Sequence, residues 1–215
     1  AELVLSGPFT DTLRGRMAMY HRNAEGYIRN ETFDTREPRR NDVGARLMLQ
    51  ADLGTSLAAT LRVEGGKFDS DGRHIEIFGE TPAPAGTPVP GATYSQILAN
   101  IIQGGGSTPP PGLLEPGGPS VNHVRGSSSP DFSNNDSREA ALTLDYFFDS
   151  GAKLTSLTAW SAYDLDEGCD CDFVAAPLIT AGIEEKYRQL SQELRLSSNP
   201  DSRVQWIGGL FFQKY

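Results

Sequence analysis

The sequence has no apolar run near the roughly 18 residues that a membrane-spanning helix needs. That absence excludes a helical membrane protein only, because barrel strands carry a much weaker hydropathy signal. Cysteine is scarce: Cys169 and Cys171 are the two present, separated by one acidic residue. The spacing is neither a redox CxxC nor a four-ligand zinc pattern, and it is open between a disulfide and two free thiols. Basic residues are the minority, 19 Lys and Arg against 28 Asp and Glu, for a formal net charge of -9. Nucleic-acid binders usually show a basic face, so no nucleic-acid partner is expected. Hydrophobic residues make up 38 %, below the roughly 45–50 % of globular domains, an average that counts Gly. The first residues, Ala1-Glu2-Leu3-Val4-Leu5, hold no basic n-region, so any export signal is expected to be cleaved or to lie upstream.

Catalytic signatures are missing too. There is no GxSxG elbow, no HExxH, no P-loop and no dinucleotide fingerprint. The paired carboxylates fall in connections and define no pocket. The expectation is a protein that is not an enzyme, with no catalytic residue and no cofactor.

What the chain does contain is alternation. Val43, Ala45, Leu47, Leu49 and Ala51 alternate with Gly44, Arg46, Met48 and Gln50. Leu57, Ala59, Leu61 and Val63 alternate with Ala58, Thr60, Arg62 and Glu64. Ala140, Leu142, Leu144, Tyr146 and Phe148 do the same against Glu139, Ala141, Thr143, Asp145 and Phe147. Leu190, Leu194 and Leu196 follow suit, with Gln192 breaking the row. A period of two puts these sets on opposite faces of a strand: one apolar, one wet. Leu13 to His21 fits less cleanly, with Leu13, Gly15, Met17 and Met19 opposite Arg14, Arg16 and Tyr20. Lys153 to Tyr163 is mixed on both faces. Val204, Trp206, Gly208, Leu210 and Phe212 form the apolar face of a last strand, opposed by Ile207 and Phe211.

Loop lengths alternate as well. Gly7–Thr12, Leu53–Ser56, Asp149–Lys153 and Asn199–Ser202 are short and rich in turn residues. Asn23–Asn41, Gly66–Ser137 and Asp164–Lys186 are long. One end of the sheet therefore carries tight turns and the other carries long loops. Sandwiches mix loop lengths at both ends; outer-membrane barrels have short periplasmic turns and long extracellular loops. The reading is an all-β, antiparallel up-and-down meander of about eight strands, part of a larger transmembrane barrel.

Within the longest connection, residues 80–137, Thr81–Pro90 and Ser107–Pro119 are rich in Pro, Gly and Thr, including Pro109-Pro110-Pro111-Gly112. Such composition disfavours regular structure. Between them Ile97, Leu98, Ile101 and Ile102 suit a short helix over Tyr94–Ile102.

Several clusters invite sharper claims. Asp164, Asp166, Glu167, Asp170 and Asp172 crowd one loop, but their spacing matches no EF-hand. A solvated acidic tip is expected there. Asp69-Ser70-Asp71-Gly72 lacks later calcium ligands and reads as a turn. His21, His74 and His123 are scattered, so no metal site is expected. Trp206, Tyr146, Phe147, Phe148, Phe211 and Phe212 lie near turns or strand ends, as interface girdles do. The wet faces carry Arg14, Arg16, Arg46, Arg62, Glu64, Glu193 and Arg195, the candidates for lining a lumen. A hydrated wall of mutually compensating charge is the simpler role for them.

Two stretches carry a family resemblance. Ser6-Gly7-Pro8-Phe9-Thr10-Asp11-Thr12-Leu13-Arg14-Gly15-Arg16, then Asn23-Ala24-Glu25-Gly26-Tyr27-Ile28-Arg29-Asn30, resembles the early barrel of TonB-dependent outer-membrane receptors. Ser191-Gln192-Glu193-Leu194-Arg195-Leu196-Ser197-Ser198, then Trp206-Ile207-Gly208-Gly209-Leu210-Phe211-Phe212-Gln213, is similar to that family's "Q-E-L-R-L-S" strand and "W-x-x-G-L-F-Y" continuation. Leu154-Thr155-Ser156-Leu157-Thr158-Ala159-Trp160 is similar to the strand that usually precedes it. The resemblance implies a 22-stranded barrel in a Gram-negative outer membrane, with a plug domain and a TonB box that this sequence lacks. It implies residues 1–215 are a partial barrel truncated at both ends. It also implies three partners: the lipid bilayer, a small-molecule ligand such as a ferric siderophore, and the TonB-ExbB-ExbD complex reached through the missing plug. A passive porin-like barrel and a secreted all-β (carbohydrate-)binding module are the rival readings; an all-β hydrolase has no motif behind it.

Overall fold

A computed structural model describes residues 1–77, 79–102 and 121–215. In chain order the strands are β1 (Glu2–Pro8), β2 (Leu13–Ala24), β3 (Ile28–Asn30), β4 (Thr35–Glu37), β5 (Arg39–Asp52) and β6 (Leu57–Asp71). After helix α1 (Tyr94–Ile102) come β7 (Val124–Arg125), β8 (Phe132–Phe147), β9 (Lys153–Asp170), β10 (Thr180–Ser197) and β11 (Ile207–Lys214). Eight of these form one sheet in the order β1-β2-β5-β6-β8-β9-β10-β11, every neighbour antiparallel. Setting β3, β4 and β7 aside, that order is the chain order: an up-and-down meander. The three short strands make a second sheet, β4-β3-β7, at the end where the long connections lie.

The register carries the sequence alternation across the whole sheet. Leu5, Met17, Leu47, Val63, Ala140, Trp160 and Leu190 are successive cross-strand partners. Leu49, Leu61 and Leu142 form the next row toward the tight turns. Because the side-chain period is two, one slip of register would mix the faces; none occurs. This face is uncovered: Leu47, Val63, Trp160 and Leu190 are 40–49 % exposed. The accessible surface is 14021 Å², against about 9,700 Å² for a compact globular chain of this mass by the usual scaling. The sheet is an open wall, with neither face covered by a second layer among the described residues.

The mixed segment Lys153–Tyr163 now has a phase. Leu154, Ser156, Thr158 and Trp160 share the apolar face, and Thr155, Leu157 and Ala159 the polar one. Two hydroxyls on one side and a leucine on the other are why period alone did not assign it. Phe211 and Phe212 sit in β11 opposite Glu193 and Gln192, three and two residues before its last residue, Lys214. Tyr146 and Phe148 do lie at the tight-turn end, edge to face at 4.9 Å.

The long connections are shorter than expected. Regular pairing reaches Asp71 on β6, starts at Phe132 on β8, and extends to Asp170 on β9 and from Thr180 on β10. Strands of up to 18 residues far exceed the 9–11 or so that cross a bilayer. Beyond the apolar band both faces are mostly polar, with Phe68, Leu165 and Ile183 scattered among charges, so the strands lose their alternation while the backbone ladder continues. Asp69-Ser70-Asp71 is therefore strand, not turn; the chain turns at Gly72, whose φ is +81°.

The tight turns behave as their residues dictate. Gly151 takes φ +80° in the β8–β9 turn, and a Cβ there would meet the Asn199 side chain at 2.2 Å. Asn199 Nδ2 donates to Ser150 O at 3.1 Å, tying this turn to the next. Gly151→Ala is expected to lose about 1–2 kcal/mol from left-handed strain, read as a lower midpoint in denaturant, with Gly151→Asn intermediate.

Helix α1 begins with a capping box: Gln96 N–H donates to Thr93 Oγ1 (3.4 Å) and Thr93 N–H to Gln96 Oε1 (3.0 Å). Its Leu98 packs with Val174 and Ala176, joined by Ile77 and Leu178. This small core belongs to the loop end, not to the sheet. Ser107–Pro119, expected to be irregular, lies outside the described residues.

Candidate functional site

All seven sequence-named wall residues fall on one face. Arg14 shares a row with Gln50, Thr60, Thr143, Leu157 and Glu193; Arg16 with Met48 and Arg62; Arg46 with Glu64 and Glu139; Arg195 with Thr155 and Asp145. The face is charged, and six of the seven are paired on it, Arg16 having no partner among the described residues. Arg46 bonds Glu64, Arg62 reaches Glu139 at 3.3 Å and Glu64 at 3.9 Å, and Arg195 meets Glu193 at 3.4 Å. Arg14 bonds Gln50 (3.0 Å) and Asp52 (3.1 Å). Exposed pairs of this kind contribute about 0–1 kcal/mol each, so their work is to set the charge of the surface rather than to hold the sheet. Glu139 and Asp52, members of the same ladder, were not singled out by sequence reasoning, though their alternation phase would have found Glu139.

Tyr20 lies on this face across Gly44, where a Cβ would stand 2.6 Å from the ring. The aromatic takes the space that the glycine leaves, a device that shields a thin point in a sheet.

A second constellation, at the loop end, was not foreseen. Arg125, 3 % exposed, donates from Nη1 to Glu37 Oε2 (3.1 Å) and from Nη2 to Asp131 Oδ2 (2.7 Å). Asn30 Nδ2 donates to Glu37 Oε1 (2.8 Å) and to Ser127 Oγ (2.6 Å). Asp131 Oδ1 accepts from Arg73 Nε (2.9 Å) and from the Asp170 amide (2.8 Å). Asp170, fully buried, accepts from Ser128 N–H (2.7 Å) and Ser128 Oγ (3.1 Å). One polar knot thus ties all three long connections to the ends of the strands. Nothing in local sequence announces it, because its partners stand up to 97 positions apart.

The acidic run 164–172 is therefore not a solvated tip throughout. Asp164 pairs with Arg188 at 3.1 Å on paired strand. Asp172 is fully buried and caps its own turn, accepting from the amides of Val174, Leu178 and Ile179. Backbone donors left free by the turn account for that burial. Cys169 and Cys171 form a disulfide. Among the described residues no three His, Cys, Asp or Glu side chains converge as a metal site, and no helix is long and apolar enough to cross a membrane.

Burial holds the Asp170 carboxyl above the usual carboxylate range, with the Asp172 and Asp131 charges adding to it against the Ser128 hydrogen bonds. A folded-state value raised above the unfolded one means that the folded state binds the extra proton. Its unfavourable contribution is full above the raised value and vanishes as pH falls to the ordinary range. After correction for intrinsic exchange, this knot is expected to gain protection on mild acidification, and Asp170→Asn to abolish the gain.

Fold and face together define a class: an antiparallel barrel-wall section with a charged face, an apolar face and a structured cap on its long-loop end. No family model and no curated protein matches the chain. Among solved structures it matches the ferric yersiniabactin uptake receptor FyuA from Yersinia pestis, with a TM-score of 0.64 at 14 % identity. The match covers 99 % of this chain and 28 % of that receptor. At such identity the likeness shows the shared fold, and the chain spans little more than a quarter of the receptor's length.

Proposed function

We propose that this chain is a wall section of a TonB-dependent receptor in the outer membrane of a Gram-negative bacterium. In this reading the receptor imports a scarce solute, such as a ferric siderophore, and makes or breaks no bond. Energy comes from the TonB-ExbB-ExbD complex through a plug and TonB box outside these 215 residues. Residues 72–131 form its long extracellular connection, shorter at its far end than the expected 80–137 because Phe132–Ser137 pair in β8, and the charged face lines the lumen. The observation that carries the reading is the apolar face, continuous in register across seven strands from Leu5 to Leu190. From Leu57 to Gly65 it rises about 26 Å along the strand at roughly 3.3 Å per residue, which suits the roughly 25 Å apolar band of outer-membrane barrels once tilt is allowed. The motif order and the likeness to a siderophore receptor support the same choice over a porin-like channel.

The test is fractionation of the full-length parent protein, then protease treatment of intact cells. Outer-membrane recovery with cuts confined to 25–38, 72–131 and 171–179 supports the barrel and its orientation. Recovery as a soluble monomer would sink it in favour of a secreted binding module. Uptake of a ferric siderophore that survives loss of TonB would leave only the passive channel.

A further inference from the structure

The loop cap is pinned at one short stretch, residues 169–174. The last rungs of β9 and β10 pair Cys169 with Ala181 and Asp170 with Thr180, and the Cys171 amide still donates to Ile179 O at 2.8 Å. Two steps of regular strand span about 6.6 Å, yet the Cα atoms of Cys169 and Cys171 stand 5.2 Å apart across their disulfide. The chain is drawn in at Asp170. Residues i and i+2 of a strand share a face, so the bridged sulfurs lie on one side. The Asp170 side chain lies on the other, where it is fully buried.

At this stretch the β9–β10 connection meets two separate parts of the β6–β8 connection. Asp170 holds Ser128 through its carboxylate and Asp131 through its amide. Two residues on, the Asp172 carbonyl accepts from the Tyr94 hydroxyl at the head of α1, and Val174 packs on Leu98 of the same helix. The closed form is costly in its own right. Asp170 is buried beside the Asp172 and Asp131 charges, and Phe173 takes φ +60°, a left-handed conformation that bulky residues avoid. Both costs lapse when the stretch straightens, and the disulfide is the covalent restraint that spans its bend.

We infer that the Cys169–Cys171 disulfide is a redox-sensitive clasp: intact, it holds the cap closed at Asp170, and reduction by a small thiol loosens the cap without unfolding the wall. Both cysteines are half-buried, so a small reductant reaches them. One thiolate of a dithiol attacks a sulfur and forms a mixed disulfide as the Cys169–Cys171 bond breaks; its second thiol then displaces the protein sulfur. The reductant supplies two electrons and leaves as a cyclic disulfide, and two protons end on Cys169 and Cys171. Disulfides persist in oxidising surroundings, where the receptor reading puts this end of the chain. The clasp itself rests on the geometry of the cap.

The test uses the full-length parent protein with and without dithiothreitol, in neutral detergent, or in buffer if it fractionates as soluble. Alkylation and mass measurement count the thiols, and hydrogen exchange reads the cap. In the wild type, reduction is expected to accelerate exchange at the Ser128 and Asp170 amides roughly tenfold, the loop-closure effect of a three-residue ring. The Leu142 and Leu194 amides should keep their rates. C169S/C171S is expected to exchange at the reduced rate whether or not dithiothreitol is present, which separates this bond from any other disulfide of the parent. If that variant does not fold, the wild type reduced in place decides. Full reduction with Ser128 and Asp170 unchanged overturns the clasp, as does alkylation of both cysteines before any reductant is added. Equal acceleration at Leu142 and Leu194 overturns it too, since the bond would then hold the wall. Recovery of the parent as a soluble protein sinks the receptor reading and leaves these outcomes to be read as they stand.

Discussion

Arg125→Met is expected to open the loop cap while leaving the barrel wall folded. The side chain is buried, and its two donor nitrogens serve two different carboxylates, Glu37 and Asp131. Methionine keeps much of the volume but none of the charge. Glu37 then keeps only its hydrogen bonds from Asn30 and Thr35, and Asp131 keeps Arg73 and the Asp170 amide. Removing one member of a buried ion network costs about 3–5 kcal/mol, because the remaining charges stay desolvated and unpaired. At 1.36 kcal/mol per factor of ten, hydrogen exchange at the cap should accelerate by roughly two to three and a half orders of magnitude. The reporting amides are Arg29, bonded to His123 O, Glu31, bonded to Arg125 O, and Asp170, bonded to Asp131. Amides of Leu142 and Leu194, in the middle of the ladders, should not change. Neutralising both carboxylate partners of Arg125, with Glu37→Gln and Asp131→Asn added, should recover part of the loss, since neither is then a stranded ion. Uniform acceleration across both regions would show that the cap is not a separate unit.

The difference between wall and cap also explains what the sequence revealed. Val43–Ala51, Leu57–Val63 and Ala140–Phe148 could be phased from composition alone, because one face must be apolar and the other wet. The ladders place all three phases on the same side. Tyr94–Ile102 was legible because its apolar spacing is helical, and the structure adds the cap by Thr93 and Gln96. Where both faces are mostly polar, as in Lys67–Asp71 and Phe132–Ser137, alternation carries no information, so paired strand passed for loop. The cap was illegible for a different reason. Asn30, Glu37, Arg125 and Asp170 meet only through tertiary folding, and each alone is an ordinary polar residue in a connection. The candidate wall residues were found, since Arg14, Arg46, Glu64 and Glu193 follow from the same period that located the strands. Of their partners, Glu139 follows from that period as well, and Asp52 needed the register.

The face assignment itself is open to a sharper test at adjacent positions. Leu61 lies near the middle of the apolar band, between Leu49 and Leu142. Thr60 lies one residue away on the charged face, between Gln50 and Thr143. Arginine is compatible with strand at either site, so propensity does not separate the two substitutions. Environment does. On a lipid-facing side an arginine near the bilayer midplane costs about 2–4 kcal/mol, while on the lumen side it meets water and neighbouring polar groups. Leu61→Arg should therefore reduce the yield of heat-modifiable, membrane-assembled parent protein by roughly 30-fold or more, at 1.36 kcal/mol per factor of ten. Thr60→Arg should leave assembly within about twofold, the effect of a typical surface substitution. Leu47→Arg against Met48→Arg repeats the contrast one row higher on β5. If the apolar face were instead covered by another protein layer, Leu61→Arg would still be costly. Leu47→Gln then distinguishes the cases, because a close-packed protein interface penalises the lost shape as well as the polarity. In lipid the amide need only be solvated at the edge of the band. Equal loss from Leu61→Arg and Thr60→Arg would mean that the sheet is buried on both sides, which an open wall with one wet face does not allow.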